Sequence, residues 1–443
     1  MWFKNVSDGN LMLNFLGKPL LHNIQWIYVI FEHNTCDLVP ILLKLITLPQ
    51  LKTLDLTGDI CTNDETTYIR KCSELEKCIK TNSKLQELTI QVIANNSSEN
   101  KLLEPFIACI MKGIAQNKII KSFRIIVFKR QTGDPDDHAL TDSTILESLL
   151  RDNNTLEALS LHIPNGFISS PMNEIKAKSK LTALDIGGSI LMNSILPCIK
   201  ELKCLILPGI SYPPCLIFNS YPDLQQLTIQ LDTKESIDEL FTILKSDATL
   251  KALRVEVKRG SVYTICSNTA CFRSFSHEKC SASSYISTIT AGIMCNTGLR
   301  QLSIPVFLPI TNKDMRRFLN VISQTDNITE LELHFQIDSW TSYDEQKMMK
   351  PFFYEQALPE IFNMLGSHAS IKTMSIVCNY LNESSDTNTT EIEDLFFCMR
   401  FPSLRQLEIK RTGSQCMIKT FTKSVVVYPY RYPITRKIKM YIH

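Results

Sequence analysis

The sequence has no long hydrophobic run, no excess of either charge and none of the common catalytic signatures. No apolar stretch reaches the roughly 18–20 residues that a membrane helix needs, so we expect no membrane span. The net charge of +2 provides no field that would attract nucleic acid or an anionic membrane. The opening MWFKNVSDGNLMLNF lacks the small-residue cleavage site of a secretory signal. These absences favour a soluble cytoplasmic protein.

Motifs that would bind a nucleotide or carry out hydrolysis are also missing. Gly17 and Lys18 are followed by Pro19, so no P-loop forms there, and HExxH, GxSxG and GxGxxG do not occur. The sequence therefore predicts no enzyme and no cofactor. The 15 cysteines are odd in number and scattered, which indicates free thiols in a reducing compartment rather than a disulfide framework.

What the sequence does contain is one phrase repeated along its length. Residues 237–257 read IDELFTILKSDATLKALRVEV, which predicts a helix, a turn and a strand. The first half places four apolar residues on one helix face, Ile237, Leu240, Phe241 and Leu244. After the turn residue Asp247, the pattern LxxLxV begins at Leu250 and predicts a short strand.

The same phrase recurs with a fixed phase between helix and strand. The last apolar residue of the helix lies six positions before the first of the strand in Leu45/Leu51, Ile79/Leu85, Leu150/Leu156, Leu244/Leu250, Ile293/Leu299, Ile322/Ile328 and Leu365/Ile371. Turn-forming residues precede the strands, among them Asn82, Asn117, Asn153, Asp247 and Asn296. A phase kept this often is not a chance LxxLxL, and it predicts a repeat array.

This phrase resembles a leucine-rich repeat over about residues 20–413, with about 13 repeats. The long, irregular spacing is similar to the ribonuclease-inhibitor-like type, as in the C-terminal regions of NOD-like receptors. The resemblance implies a recognition role such as the sensor part of an immune receptor. The Asn or Cys that usually follows each strand survives only as Asn379, so we expect the asparagine ladder to be mostly missing.

We therefore expect an α/β fold, a leucine-rich repeat solenoid (horseshoe) with a concave parallel β-sheet and a mostly helical convex side. The middle should be irregular, because the strands from Leu181, Leu202 and Leu224 leave no room for full helices. Residues 1–19 form a lead without a clear pattern, and 258–285 form an insertion. The basic tail 414–443 is either an edge-covering strand or unstructured, with a membrane-surface or anionic-partner contact as the alternative.

The concave sheet face is the predicted binding site for a protein or peptide partner. Its central row combines small polar side chains with both charge signs and few aromatics, which is unlike a nucleic-acid surface. The candidate partner-binding residues are Arg124, His162, Asp185, Arg254, Glu332 and His334.

Three other groups of polar residues are weaker candidates for a functional site. Ser160, His162 and Asp185 share neighbouring strands, but residues i and i+2 lie too far apart for a Ser–His pair, and Asp185 should border Ser160 rather than orient His162. A zinc site in the insertion would use the residues Cys266, Cys271, His277 and Cys280, whose spacing lacks paired CxxC knuckles. A loop with Asp134, Asp136, Asp137 and His138 is more typical of helix capping than of a cation site.

The function predicted from these patterns is non-enzymatic protein recognition. One alternative of the same class is a substrate adaptor of a ubiquitin ligase, although residues 1–19 are too short for an F-box-like segment. The alternative of another class is a metal-dependent enzyme that uses the insertion 258–285.

Overall fold

The chain folds into two compact units, Met1–Ile210 and Ser211–His443. The computed structural model describes residues 2–6, 14, 23–31, 37–60, 64–94, 97–129, 141–163, 167–168, 180–187, 195–257, 283–308, 312–337, 352–378, 401, 403–411 and 417–422. The division falls in the proline-rich middle, between Pro208 and Pro213. We refer to the two parts as unit 1 and unit 2.

Unit 1 is built from parallel strands that alternate with helices. Its strands are β1 (Trp2–Val6), β2 (Trp26–Phe31), β3 (Thr53–Asp59), β4 (Glu87–Ala94), β5 (Ser122–Lys129), β6 (Thr141–Asp142), β7 (Ala158–His162), β8 (Phe167–Ile168), β9 (Ala183–Gly187) and β10 (Cys204–Ser211). Its helices are α1 (Leu38–Ile46), α2 (Glu65–Thr81), α3 (Ser97–Gln116) and α4 (Ser143–Asp152). The sheet order is β1-β2-β3-β4-β5-β7-β9-β10, all parallel, and β6 pairs with β8 separately.

Unit 2 repeats this plan. Its helices are α5 (Pro214–Ser220), α6 (Lys234–Leu244), α7 (Ser283–Cys295), α8 (Asn312–Ser323) and α9 (Leu358–Ser367). Its strands are β11 (Gln226–Leu231), β12 (Ala252–Val257), β13 (Gln301–Leu308), β14 (Glu330–Ile337), β15 (Thr373–Cys378), β16 (Gln406–Arg411) and β17 (Met417–Thr422). The strands pair in chain order and in parallel as far as β16, and β17 is antiparallel to β16.

The predicted phase between helix and strand is confirmed. In all seven predicted pairs both residues are at most 2% exposed, from Leu45 and Leu51 to Leu365 and Ile371. Within each unit, successive helices pack against one another, as α2 does on α3 and α7 on α8. The apolar face of each coil is thus covered by its neighbours, which is the packing of an α/β solenoid of leucine-rich-repeat type.

Helix starts follow from the capping residues in the sequence. The Asp37 carboxylate accepts from the Val39 amide at the start of α1, and the Asp64 carboxylate accepts from the Thr66 and Thr67 amides at the start of α2. The hydroxyl and amide groups of these two threonines lower the pKa of Asp64 to about 2. These caps satisfy amide groups that have no partner within the helix.

A ladder of side chains joins the coils of unit 1 in the turn before each strand. The Asn153 amide group donates to the carbonyl oxygens of Ile114 and Asn117, 2.7 and 3.2 Å away, and its Oδ1 accepts from the Thr155 and Leu156 amides. Asn117 repeats the pattern one coil earlier, and Asn82 repeats its accepting half while donating to one carbonyl of α1. Each asparagine therefore satisfies its own turn and reaches back to the preceding coil.

Unit 2 has the same ladder with different residues. Asn296 donates to the carbonyl oxygens of Leu244 and Asp247 and accepts from two amides of its own turn. At His368, Nδ1 accepts from the Ser370 and Ile371 amides, and Nε2 lies 3.1 Å from the Ile322 carbonyl oxygen. Three further residues lie directly before the leucine or isoleucine that opens the predicted strand pattern. Their side chains donate to carbonyl oxygens of the preceding coil, and they are Thr249, Asn327 and Ser403.

The expectation that the ladder is mostly missing is therefore wrong. That expectation considered only the position after the strand, where Asn379 lies outside the described residues. The ladder lies before the strand, and four of its members, Asn82, Asn117, Asn153 and Asn296, were predicted only as turn formers. A buried asparagine can serve both purposes because one amide carries two donors and an acceptor.

The ends and the middle of the chain add three facts. The lead 1–19 contains β1, a strand that sequence analysis did not predict, which pairs in parallel with β2. Residues 417–422 of the tail form β17, which pairs with β16. In the middle, connections shorten to a 3₁₀ turn, Leu196–Cys198, and the seven-residue α5, as the spacing predicted. Among the described helices, none is long and apolar enough to cross a membrane.

Candidate functional site

The predicted central row is present in the sheet of each unit. In unit 1 the strand pairing aligns Asp55, Thr89, Arg124, Ser160, Asp185 and Ile206. In unit 2 it aligns Thr228, Arg254, Ser303, Glu332, Ser375 and Glu408. These residues alternate along each strand with buried apolar residues, so they lie on the side of the sheet away from the helices. We call this side the sheet face.

The six predicted binding residues separate into two clusters. Arg124, His162 and Asp185 belong to unit 1, on β5, β7 and β9. The other three, Arg254, Glu332 and His334, belong to unit 2, on β12 and β14. The structure brings residues together within each cluster, and each cluster has its own chemistry.

The unit 2 cluster is organised around one carboxylate oxygen. Oε1 of Glu332 accepts from Nη1 of Arg254 at 3.0 Å and from the Ser303 hydroxyl at 2.9 Å, and it also contacts Nε2 of His334. Nε of Arg254 donates to Glu256 at 3.2 Å. The positive charge of Arg254 is therefore compensated by two carboxylates within the same face.

This cluster is a surface ion-pair network rather than a buried one. The side chains of Arg254 and Glu332 are 33% and 19% exposed. Solvent screening at this exposure limits the contribution of a single pair to about 1 kcal/mol or less. The network thus fixes the shape and charge pattern of the face more than it stabilises the fold.

In unit 1, Asp185 lies between Ser160 and His162. The Ser160 hydroxyl donates to Oδ2 of Asp185 at 2.8 Å, and Nε2 of His162 lies 2.8 Å from Oδ1. Neither of these two atoms forms a hydrogen bond, so this second contact is an electrostatic one. The predicted pairing of Asp185 with Ser160 is confirmed, whereas the contact of Asp185 with His162 was not predicted.

Gly187 makes this position of the imidazole possible. It pairs with His162 across the sheet, and a Cβ added to it would lie 2.4 Å from Nδ1 of His162. Any larger residue at position 187 would push the ring away from Asp185. The contact between His162 and Asp185 therefore depends on a missing side chain in the neighbouring strand.

The order Ser–Asp–His differs from that of a nucleophilic triad, in which the histidine lies between the other two. Ser160 is fully buried and donates to the carboxylate, so its oxygen is neither activated by His162 nor open to a substrate. The negative charge has another visible effect nearby. Burial, and secondarily Asp185, raises the pKa of the Cys204 thiol to about 12, which leaves that thiol unreactive.

Arg124 differs from every other member of the two clusters. It lies between Thr89 and Ser160 in the row, and no described residue pairs with its guanidinium. Its Nε is buried without a hydrogen-bond acceptor. An arginine beside two carboxylates and an arginine beside none thus occupy matching rows of the two units.

Three residues of the sheet face were missed as candidates. Glu256 and Ser303 belong to the unit 2 network, and Gln91 lies beside Arg124 on β4. Gln91 and Glu256 lie two residues after a row member, so the alternation of a strand would have placed both on this face. Only the structure shows which of them have partners.

The remaining candidates from the sequence lie outside the described residues. These are the zinc candidates Cys266, Cys271, His277 and Cys280, and the acidic loop Asp134, Asp136, Asp137 and His138. Within the part of the chain that the structure describes, no group of three or more His, Cys, Asp or Glu side chains could hold a metal ion. The eight described cysteines are thiols rather than half-cystines, and Cys72, Cys109, Cys198 and Cys378 are buried, which confirms the prediction of thiols for these eight positions.

Comparison with known proteins gives no assignment for this chain. No family model matches it, and no curated protein matches it either. A proposal for its function therefore rests on the fold and the two clusters.

Proposed function

We propose that this protein is a non-enzymatic recognition scaffold that binds a protein or peptide partner on its sheet face. The observation that carries this proposal is the central row, which offers side chains of both charge signs in fixed register. Thr89, Arg124, Arg254, Glu332 and Glu408 are all partly exposed. Charge patterns of this kind give specificity and orientation to a protein interface.

The wider resemblance belongs to the same proposal. The repeat is similar to the ribonuclease-inhibitor-like type found in the C-terminal regions of NOD-like receptors, where it would act as the sensor of an innate immune protein. A cytoplasmic location fits the thiol cysteines. The row lacks the basic stripe and stacking aromatic side chains of a nucleic-acid surface, which favours a protein partner.

A capture experiment from cell lysate tests the proposal. The wild-type chain is compared with a variant carrying Arg124→Ala, Arg254→Ala and Glu332→Ala, which alters the sheet face in both units. The matched control carries Arg70→Ala, Arg317→Ala and Glu65→Ala, which changes the same charges at exposed helix positions. We expect partners to be lost only with the sheet-face variant. Equal capture by all three proteins would contradict the proposal.

A further inference from the structure

We propose that unit 1 binds an acidic, extended peptide segment of the partner, with a carboxylate on Arg124 and an apolar side chain on Ile126 and Phe128. This inference rests on the proposed function and specifies its partner. The surface consists of these three β5 residues with Gln91 and Ile93 of β4, and we call it the β5 patch.

The first argument is the unpaired charge of Arg124. Its guanidinium has no described partner, and the fork of donors that it carries matches a carboxylate in a bidentate arrangement. In the same row, Asp185 already interacts with Ser160 and His162. An incoming carboxylate therefore meets a cation that it does not have to separate from a counter-ion.

Gln91 supplies a second, independent observation. It is only 8% exposed, yet its side-chain oxygen has no hydrogen-bond donor. Gln91 pairs with Ile126, which places it diagonally beside Arg124 on the same face. A buried polar atom without a partner is unfavourable, and a donor that reaches it removes that cost. A peptide offers what both groups lack, an amide N–H for Gln91 and a carboxylate for Arg124.

The apolar part of the patch follows the charge along one strand. Arg124, Ile126 and Phe128 occupy every second position of β5 and therefore share the sheet face. Phe128 is 44% exposed. Ile93 pairs with Phe128 and widens this apolar end. An extended peptide has the same two-residue repeat of about 6.8 Å, so a residue two positions from the acidic one meets the apolar end.

The corresponding position of unit 2 does not offer the same site. Arg254 already donates to Glu332 and Glu256, so a peptide carboxylate would compete with two existing partners. A doubly charged phosphate is also less suited to the β5 patch, because the charged neighbours of Arg124 in its row are the acids Asp55 and Asp185. The patch therefore fits a single carboxylate followed by an apolar side chain.

Selection from a library of random displayed dodecapeptides on the immobilised full chain tests this inference. The wild type should enrich Asp or Glu followed two positions later by an aliphatic or aromatic residue. Arg124→Glu should reduce binding of those peptides at least tenfold and select Lys or Arg in place of the acid. Arg124→Lys should retain the acidic preference, and Arg70→Glu on exposed α2 should select as the wild type does.

Other outcomes overturn the inference in distinguishable ways. The carboxylate contact is rejected if the enriched peptides lack an acid, or if wild type and Arg124→Glu select the same peptides. The proposed function still stands in that case if substitutions in the sheet face of unit 2 weaken the binding of those peptides. Peptides insensitive to every sheet-face substitution reject both. An acidic peptide is also rejected as the occupant by any of three results. These are binding that depends on phosphate, the absence of any enriched peptide, and self-association of the wild type that Arg124→Glu abolishes. Unchanged thermal melting of Arg124→Lys confirms that folding is not the cause.

Discussion

Units 1 and 2 solve the same problem in the turn before each strand with different side chains. In unit 1 the reach back to the preceding coil is made by Asn82, Asn117 and Asn153. In unit 2 it passes through Asn296, then Asn327 at a shifted position, and then His368. The backbone requires one acceptor and one donor at this point, and it does not require a particular residue.

Asp247 shows what happens when one of these functions is missing. Its carboxylate accepts from the Thr249 and Leu250 amides but has no donor to offer the preceding coil. The Thr249 hydroxyl makes that connection, donating toward the carbonyl oxygens of Pro222 and Leu224. Two residues thus divide the role that a single asparagine performs elsewhere.

The sheet faces of the two units differ in whether the arginine of the central row is paired. In unit 1 the ladder is uniform and the arginine of the central row is unpaired. In unit 2 the ladder is mixed and the arginine of the central row is neutralised by carboxylates. Substitutions at the matching positions of the two units separate stability from recognition.

The largest expected effect comes from removing a uniform ladder residue. Asn153→Ala leaves two amides and the Asn117 carbonyl oxygen without these partners and removes one of the two donors to the Ile114 carbonyl oxygen, and we expect a loss of about 3 kcal/mol. Native-state amide exchange across residues 155–162 measures this free energy. Asn154→Ala, at the exposed neighbouring position, is the control and should change it little. Equal exchange free energies in the two variants would show that the hydrogen bonds of Asn153 do not stabilise these coils.

The next effect distinguishes the histidine from the asparagines. His368→Ala should cost about 2 kcal/mol, and His368→Asn should recover most of it, because asparagine has both a donor and an acceptor. Amide exchange at Ser370 and Ile371, whose amides donate to Nδ1, reports the change. An asparagine variant as unstable as the alanine variant would contradict the ladder role.

His368 should also make unit 2 sensitive to acid. Burial lowers the pKa of His368 below its ordinary value of 6.5, against smaller opposing effects of the Ile322 and Thr325 backbone and of Asp326. The unfolded chain therefore binds the proton first as the pH falls. The stabilisation is complete above about pH 6.5 and is lost below it. In His368→Asn, the stability measured by amide exchange should differ less between pH 7.5 and 5.5 than it does in the wild type. The same change in stability with pH in the variant and the wild type would refute this role of His368.

A smaller effect is expected from the compensated arginine. A double-mutant cycle with Arg254→Met and Glu332→Gln should give a coupling free energy of about 0.5–1 kcal/mol, because both side chains are partly solvated. Unfolding in denaturant at low and high salt measures the coupling, which should shrink with salt. A coupling above about 3 kcal/mol would mean that the pair is structural.

The smallest effect on stability is expected at Arg124. Arg124→Gln removes no described partner, so the free energy of unfolding should change by less than about 0.5 kcal/mol. The same substitution should abolish partner binding. A large loss of stability would show that Arg124 supports the fold, and the contrast between the two units would then disappear.

The fold was largely predictable because its signal is periodic. The six-residue phase from Leu244 to Leu250 recurs, and burial of both residues follows from it. The central row was also predictable, since a strand alternates and parallel strands keep register. Which side chains of the sheet face contact one another was not predictable, because the contact of His162 with Asp185 depends on the absence of a side chain at Gly187. The ladder was missed because Asn117 and Asn153 had been read only as turn residues.

Photo-crosslinking from defined positions tests the central claim most directly. A benzophenone amino acid is placed at Thr89, Gln301 or Gln406 on the sheet face, and at Arg70 or Arg317 on exposed helix positions, in otherwise wild-type chains. We predict that the same partner crosslinks to the sheet-face positions and not to the helix positions. Crosslinks confined to Arg70 and Arg317 would show that recognition occurs on the helices and contradict the account.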